Sequence, residues 1–199
     1  MFRFIWRPNT MLQRKVEEAK ASVSWERPII SMHVRHGDAC YDHRAQRKCH
    51  EFEDYLVAAR KIKERYGVRN VFLATDNVAV IAKARANEEF NFLVRETESA
   101  KFYSGKGAKE FVERRLAKGE GDPGMIGWDA AIDIEMMGHG DFFVGTMSSS
   151  LGRLGFMRMV GMKRYVPPFI SLDYAWCPGH LRRGLRVYHV SGEYKRFDC

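Results

Sequence analysis

The sequence predicts an α/β domain of the Rossmann-like, doubly wound class, with one parallel sheet and helices on both faces. Two observations predict this class. Short apolar runs of strand length alternate with longer segments in which apolar residues recur at helical spacing. In addition, the first run, residues 28–38 (PIISMHVRHGD), begins as a buried strand and breaks abruptly into charged residues and glycine. Ligands bind at such strand ends in open α/β sheets.

The helices are predicted from apolar stripes and from the residues at their ends. Thr10 and Gln13 form a capping box for the first helix, and Gly67 ends the second. Asp122 and Pro123 suit the N-cap and the first position of a later helix. Three helices are predicted over residues 52–66, 78–86 and 108–117. Two others are predicted to begin at residues 10 and 123, and a last one runs from the serines at 148–150 to residue 159.

The strands are predicted at residues 28–34, 70–75, 91–94, 141–145 and 164–166. Parallel strands point their carboxyl ends the same way. The segments HVRHGD, TDN and TMSSS are therefore expected to converge on one rim of the sheet. We expect a single domain over residues 1–199, in which the tail from 167 to 199 stays unassigned.

Composition limits the functional classes. The 199 residues carry a formal net charge of +8 and are 45% hydrophobic, which indicates a globular chain suited to an anionic ligand. Lys/Arg runs interleaved with aromatic residues are missing, so a nucleic-acid partner is disfavoured. Apolar stretches of about 18 residues are also missing, so we expect no membrane span in this chain. Residues 1–7 are too short and too charged for a signal peptide. We therefore expect a cytosolic protein or a segment whose targeting signal lies elsewhere.

The four cysteines leave two interpretations open. Cys40 and Cys49 could close a small disulfide loop in an oxidising compartment, or all four could be free thiols. A zinc site is disfavoured because the sequence has no CxxC pair. The other two cysteines are Cys177 and Cys199.

A phosphate site is predicted where residues 146–150 (TMSSS) join a strand to a helix. The first N–H groups of a helix lack internal partners, and serine hydroxyls add further donors. One serine would suffice as an N-cap, so three in a row favour phosphate. Arg35 offers a planar fork for two phosphate oxygens at the same rim, with an ion pair to Asp38 as its structural alternative.

Each of three further polar residues has a structural interpretation, and two of them also have a functional one. Asp133 lies in an apolar helical stripe, so it needs a partner: either the N–H edge of a guanine or a buried Arg or His of the protein. Asp76 follows a strand and is either a site acid or, as favoured, the cap of the next helix. His33 lies within the strand, where a satisfied core histidine is the usual outcome.

The three segments resemble the motifs of the α-1,6-fucosyltransferase family. HVRHGD, FLATDN and DIEMMGHGDFFVGTMSSSLGR stand in the order and spacing of that family's HVRRTD, FLATDD and D-x-FLS-x-AD-FLVCTFSSQ. The opening WRPNTMLQRKVEEA resembles the segment that precedes the first motif. The resemblance spans residues 4–166, and three ordered motifs make it specific.

The resemblance implies a GT-B glycosyltransferase whose carboxyl-terminal, GDP-fucose-binding half is this chain. It implies inverting transfer of fucose from GDP-fucose to a glycan or glycoprotein acceptor, without cofactor or metal, in the Golgi or the secretory-pathway lumen. An amino-terminal acceptor domain would then be a missing partner. The implied donor-binding residues are His33, Arg35, Asp133, Thr146, Ser148, Ser149 and Ser150, and the candidate catalytic residues are Arg35, Asp38, Asp42, His43 and Asp76.

Five positions depart from the family motifs. The second arginine of the first motif is His36, and the lysine after its aspartate is Ala39. The glutamate proposed as the general base aligns with His43, next to Asp42. The other two departures are Asn77, for the second aspartate of the second motif, and Ser150, for the glutamine after the serines. Donor binding is therefore better preserved than acceptor chemistry.

The sequence thus predicts a fucosyltransferase region acting on a glycan, with the N-glycan core as the first expectation. A protein O-fucosyltransferase is the near alternative. A non-catalytic nucleotide-sugar-binding module is the alternative from a different class, favoured by Ala39 and Asn77.

Overall fold

A parallel sheet of five strands forms the centre of the computed structural model, in the order β3-β2-β1-β4-β5. The structure describes residues 2–37, 40, 49–97, 102, 110–173, 186–188 and 194–196. Within these residues the helices are α1 Phe2–Ile5, α2 Thr10–Ser22, α3 Phe52–Tyr66, α4 Val78–Arg85, α5 Val112–Ala117, α6 Pro123–His139 and α7 Ser150–Lys163. The strands are β1 Ile29–Val34, β2 Asn70–Thr75, β3 Asn91–Val94, β4 Phe142–Gly145, β5 Phe169–Ser171, β6 Arg186–Tyr188 and β7 Tyr194–Arg196.

Strand β1 is the middle strand of the sheet, and all six of its residues are buried. It pairs in parallel with β2, where Ile29 lies opposite Asn70, and with β4, where Met32 lies opposite Val144. A strand with a neighbour on each edge and helices on both faces has no solvent-facing side. Its nearly continuous apolar sequence follows from this burial.

Two hydrophobic cores lie on opposite faces of the sheet. Successive side chains of a strand point to opposite faces, so Ile30 and Met32 enter the core under α3 and α4, whereas Ile29 enters the core under α2, α6 and α7. Ser31 lies on the second face and donates its hydroxyl to the carbonyl of Met137 at 2.9 Å. The doubly wound, Rossmann-like architecture predicted from the sequence is confirmed.

The helix ends follow local chemistry, with one correction. The cap of α2 is Asn9, whose side chain accepts the N–H of Leu12 at 2.9 Å, and not the predicted capping box at Thr10. Asp122 caps α6, with Pro123 at the first turn, as predicted. Gly67 ends α3 with a φ of 71°, a left-handed conformation that glycine adopts without strain.

The prediction of a strand at residues 164–166 was wrong. Helix α7 continues to Lys163, and Arg164 ends it in a left-handed conformation with φ of 62°. Tyr165 and Val166 are then exposed. Two prolines intervene before β5, which pairs with β4 from Phe169 onward. The segment 164–166 has strand-forming residues but no neighbouring strand to pair with. The exposed helix expected over 108–117 is α5, and residues 103–109 lie outside the described part.

A disulfide and a buried ion pair link segments that lie outside the sheet. Cys40 and Cys49 form a disulfide, so the free-thiol interpretation was wrong for this pair, while Cys177 and Cys199 lie outside the described residues. Buried Glu135 of α6 pairs with Arg158 of α7, with 2.8 Å between Oε1 and Nε, and also accepts the indole N–H of Trp6. This pair fixes the segment after α1 against both helices.

In the described part of the chain, every helix is too short or too polar to cross a lipid bilayer.

We predict opposite effects from two glycine substitutions around α6. At Gly140 an added methyl group would meet the side chain of Ser31 and lie 3.4 Å from the carbonyl oxygen of Ile29, so Gly140→Ala should destabilise the fold by about 1–3 kcal/mol. At Gly127 a methyl group meets nothing within 4 Å, and alanine favours the helix, so Gly127→Ala should stabilise by roughly 0.5–1 kcal/mol. Urea unfolding measures both free energies. Equal effects of the two substitutions would contradict the packing described here.

Candidate functional site

Polar or charged residues follow all five strands of the sheet at their carboxyl ends, and together they define the rim. Because the strands are parallel, these ends lie along one edge. The residues are Arg35 after β1, Asp76 after β2, Arg95 after β3, Thr146 after β4 and Asp173 shortly after β5. The predicted convergence of HVRHGD, TDN and TMSSS is therefore the arrangement that the sheet produces.

The carboxylate of Asp76 organises the turn after β1. It accepts the N–H of His36 at 2.8 Å and the N–H of Gly37 at 2.9 Å, and it pairs with the guanidinium of Arg35. A methyl group at position 37 would collide with this carboxylate, so the close approach requires glycine. The favoured interpretation of Asp76 as a helix cap was wrong. Asn77 caps α4 instead, accepting the N–H groups of Ala79 and Val80.

Arg35, in the turn after β1, is half-buried and paired with Asp76. Its predicted alternative partner, Asp38, lies outside the described residues. So do Asp42 and His43, the candidate general bases. Asp76 accepts two backbone N–H groups in addition to the guanidinium. The position of Arg35 at the rim is therefore set by contacts within the described turn.

The serine turn after β4 presents hydroxyls at the amino terminus of α7. Ser149 is the N-cap, buried, and its hydroxyl makes no capping hydrogen bond, whereas Ser150 is the exposed first residue of the helix. Thr146 is buried and Ser148 half-buried. The hydroxyl of Ser149 therefore does not satisfy the first N–H groups of its own helix.

The carboxylate of Asp173, two residues after β5, orders the same turn. Asp173 accepts the N–H of Met147 at 2.7 Å and the N–H of Ser148 at 3.2 Å, and the hydroxyl of Ser171 donates to it at 3.1 Å. The two backbone groups that precede the N-cap are therefore directed at an acidic side chain. Sequence analysis missed Asp173 because β5 was placed five residues too early.

His33 is fully buried on the sheet face that α6 and α7 cover. Its Nδ1 has no hydrogen-bond partner among the described residues, and a methyl group on Gly152 would lie 3.0 Å from this atom. Burial, with a smaller contribution from the Arg35 cation, lowers the pKa of His33 to about 3. The imidazole is therefore neutral at physiological pH. The expectation of a satisfied core histidine was wrong for Nδ1.

Asp133 pairs with Arg95, which directly follows β3. Arg95 donates its Nε to Oδ1 of Asp133 at 3.1 Å and its Nη2 to the same oxygen at 3.0 Å. Arg95 also contacts the carboxylate of Asp129, one turn earlier on α6, at 3.3 Å. Burial raises the pKa of Asp133, and the nearby Arg95 opposes this rise. A protein partner therefore accounts for the acid in the apolar stripe, while its role toward guanine stays a prediction.

Sequence reasoning also missed Arg95 and Asp129. Arg95 directly follows the apolar run NFLV, so the rule that singled out Arg35 after β1 applies to it equally. Asp129 stands four residues before Asp133, which places the two acids on neighbouring turns of one helix face. The described residues contain no group of three or more His, Cys, Asp or Glu side chains arranged to hold a metal ion.

This rim defines a class. It combines a doubly wound sheet, an arginine after β1 and a serine-rich helix start after β4, and open sheets of this class bind their ligands at such strand ends. The family described as alpha-(1,6)-fucosyltransferase N- and catalytic domains matches residues 1–175. The chain belongs to this α-1,6-fucosyltransferase family.

A curated relative and two solved structures are also similar to this chain. An alpha-(1,6)-fucosyltransferase of Drosophila melanogaster is 26% identical over 166 residues, which cover 80% of this chain and 24% of the relative. The structure of POFUT1 in complex with GDP-fucose has a TM-score of 0.54 at 11% identity, and covers 85% of this chain and 47% of that one. NodZ alpha-1,6-fucosyltransferase soaked with GDP-fucose has a TM-score of 0.49 at 16% identity, covering 83% and 45%. The chain thus spans about a quarter of the curated relative and about half of the solved structures.

The buried histidine predicts an acid-sensitive stability. Unfolded histidine has a pKa of 6.5 and His33 one of about 3, so the unfolded state binds one more proton between these values. Stability should therefore fall as the pH decreases from 6.5, by up to about 1.4 kcal/mol per pH unit from this residue. His139, whose pKa burial lowers to about 4, adds a second contribution of the same sign.

Urea unfolding at pH 7, 6 and 5 measures this slope. His33→Gln should remove one histidine's share of it, and His139→Gln should remove a similar share. A His33→Gln variant with the slope of the parent protein would show that His33 titrates normally in the folded state.

Proposed function

We propose that this chain is the GDP-fucose-binding half of a fucosyltransferase that moves fucose from GDP-fucose to a glycan, with the N-glycan core as first acceptor. One observation carries the proposal. Met32 of β1 lies opposite Val144 of β4, so Arg35 and Met147 each stand three residues beyond that pair. This register ends β1 and β4 level with each other at the rim, which supports a diphosphate that contacts both Arg35 and the serine turn.

The donor is expected to lie along the rim with its diphosphate at the serine turn. Arg35 would hold the β-phosphate through its planar fork, and Ser148, Ser149 and Ser150 would donate to further oxygens. Ser149 supports this role because its buried hydroxyl makes no capping bond to its helix. Asp76 supports it because its carboxylate anchors the turn that carries Arg35.

The nucleotide base is assigned to the face of the sheet that α6 and α7 cover. Asp133 lies on α6, and neutral His33 is buried on the same face with Nδ1 lacking a partner among the described residues. Guanine presents adjacent N–H donors that suit a carboxylate. These two residues are therefore the proposed contacts of the base.

The chemical step proposed is an inverting displacement without a metal ion. The acceptor hydroxyl attacks the fucose C1 while the bond to the diphosphate oxygen breaks. A general base takes the hydroxyl proton, and the Arg35 cation stabilises the negative charge that develops on the departing diphosphate. No cofactor enters this step.

The acceptor side is proposed to come from a second domain, as in a two-domain GT-B enzyme. The chain covers 47% of the POFUT1 chain, which fits one half of such an enzyme. The proposed compartment is the lumen of the secretory pathway, in particular the Golgi. The Cys40–Cys49 disulfide supports an oxidising compartment.

Two alternatives each have an observation in their favour. The likeness to POFUT1, with a TM-score of 0.54, favours a protein O-fucosyltransferase acceptor. The use of Asn77 as a plain helix cap favours a non-catalytic nucleotide-sugar-binding module, because the family motif has an acid at this position. Turnover with a glycan, compared with turnover on a protein acceptor, separates the three functions.

The first test is the affinity for GDP. Arg35→Ala should weaken binding by about 1.5–3 kcal/mol, roughly 10- to 150-fold in Kd, because a charge-assisted contact is lost. Isothermal titration calorimetry measures this change. Arg14→Ala, which removes an exposed arginine of α2 that pairs with Glu18, serves as the control. If both variants bind GDP like the parent chain, the diphosphate does not lie at Arg35.

The second test concerns the general base. A histidine with an ordinary pKa near 6.5 can accept a proton at neutral pH, so His43 is the first candidate and Asp42 the second. Loss of the base should reduce transfer by about 10²- to 10⁴-fold without changing GDP affinity. Fucose transfer to an N-glycan is assayed with an acceptor-side domain of the family supplied.

Gln46→Ala provides the control in the same segment, because glutamine has no group that accepts a proton at neutral pH. Full transfer by both His43→Ala and Asp42→Ala would place the base elsewhere. A parent chain that binds GDP but shows no transfer under these conditions would favour the binding module.

A further inference from the structure

Arg95 is the centre of a buried ion-pair cluster at the rim, which also contains Asp129 and Asp133. It directly follows β3, and its side chain is only 9% exposed. Besides its contacts with both carboxylates, Nη2 donates to the backbone carbonyl of Asp129 at 3.2 Å. A guanidinium with this many partners in one small volume has a fixed orientation.

Both hydrogen bonds from Arg95 to Asp133 reach the same carboxylate oxygen. Nε and Nη2 of Arg95 both donate to Oδ1, at 3.1 and 3.0 Å. Within the described part of the chain, no hydrogen bond reaches Oδ2. A carboxylate has about two acceptor positions on each oxygen, so the remaining capacity of Asp133 is concentrated on Oδ2.

The carboxylates of Asp129 and Asp133 both contact this one guanidinium. Burial raises the pKa of Asp133, and Arg95 opposes this rise. Without the arginine, Asp133 would lose both donors to Oδ1 that orient its carboxylate. An acceptor oxygen held in one orientation suits a ligand edge made of N–H donors.

We propose that Arg95 is a positioning residue for base selection: it fixes the carboxylate of Asp133 through Oδ1, with Oδ2 directed at the adjacent N1–H and N2–H of guanine. The proposal rests on the proposed function, because it needs the base to lie at Asp133. A hypoxanthine base keeps N1–H but lacks the N2 amino group, and adenine has an acceptor at N1. A fixed Oδ2 acceptor therefore prefers guanine to both.

The experiment compares GDP with inosine diphosphate, which differs only by the N2 amino group. Calorimetry on the full 199-residue chain should show GDP binding at least about tenfold more tightly, as expected for loss of one contact of a paired recognition. Arg95→Ala should reduce this preference to less than about threefold. Affinity for inorganic pyrophosphate should stay unchanged, because Arg95 does not contact the serine turn.

Two further variants keep the test decisive. Arg95→Lys retains the charge but lacks the fork that places two N–H groups on one oxygen, so its preference should lie between those of the parent and Arg95→Ala. It also replaces Arg95→Ala if that variant fails to unfold cooperatively on heating. Arg85→Ala is the matched control, since it removes an exposed arginine that pairs with Glu96, the residue next to Arg95. It should keep the parent's preference.

The outcomes separate the two proposals. If the parent prefers GDP and the Arg95 variants keep that preference, the positioning role of Arg95 is overturned and the GDP site stands. If the parent binds GDP no better than pyrophosphate, the base does not lie at Asp133, and both proposals fail.

Discussion

The burial of strand β1 is the constraint on which the rest of the structure depends. All six residues from Ile29 to Val34 are buried, with β2 and β4 on the two edges and helices on the two faces. Only beyond the ends of such a strand can charged groups reach solvent. The chain therefore turns from Val34 to Arg35 at the rim, and the same geometry brings the polar ends of the neighbouring strands to this place.

Charged side chains at the rim have partners that fix the positions of the turns and of Asp133 on α6. Asp76 holds the turn after β1, Asp173 holds the turn after β4, and Arg95 holds Asp133 on α6. Each of these contacts joins segments that are distant in sequence. Burying such charges is tolerable because each has an oppositely charged group or backbone N–H groups as partners. A donor nucleotide would therefore meet side chains that are already oriented, which reduces the entropic cost of binding.

Much of the candidate site was predictable because its signal is local. The run that ends at Arg35 and the serines at 148–150 both combine a strand pattern with chemistry at its end, and the structure brings them to adjacent strands. The partner of Asp133 was not predictable, since the need for a partner is visible in the helical stripe but its identity is not. Arg95 lies 38 residues away and reaches Asp133 only because β3 ends beside α6.

The sequence by itself determined the first four strands of the sheet, the longer helices, the doubly wound class and the rim, because periodicity and the residues at strand ends are local properties of the chain. Tertiary structure alone decided which residues meet. It placed the fifth strand at Phe169–Ser171 rather than at residues 164–166, because a strand exists only where a neighbour pairs with it. It made Asp76 an anchor of the first turn and left the helix cap to Asn77. Such choices depend on distances between segments far apart in the chain, which local residue patterns do not contain.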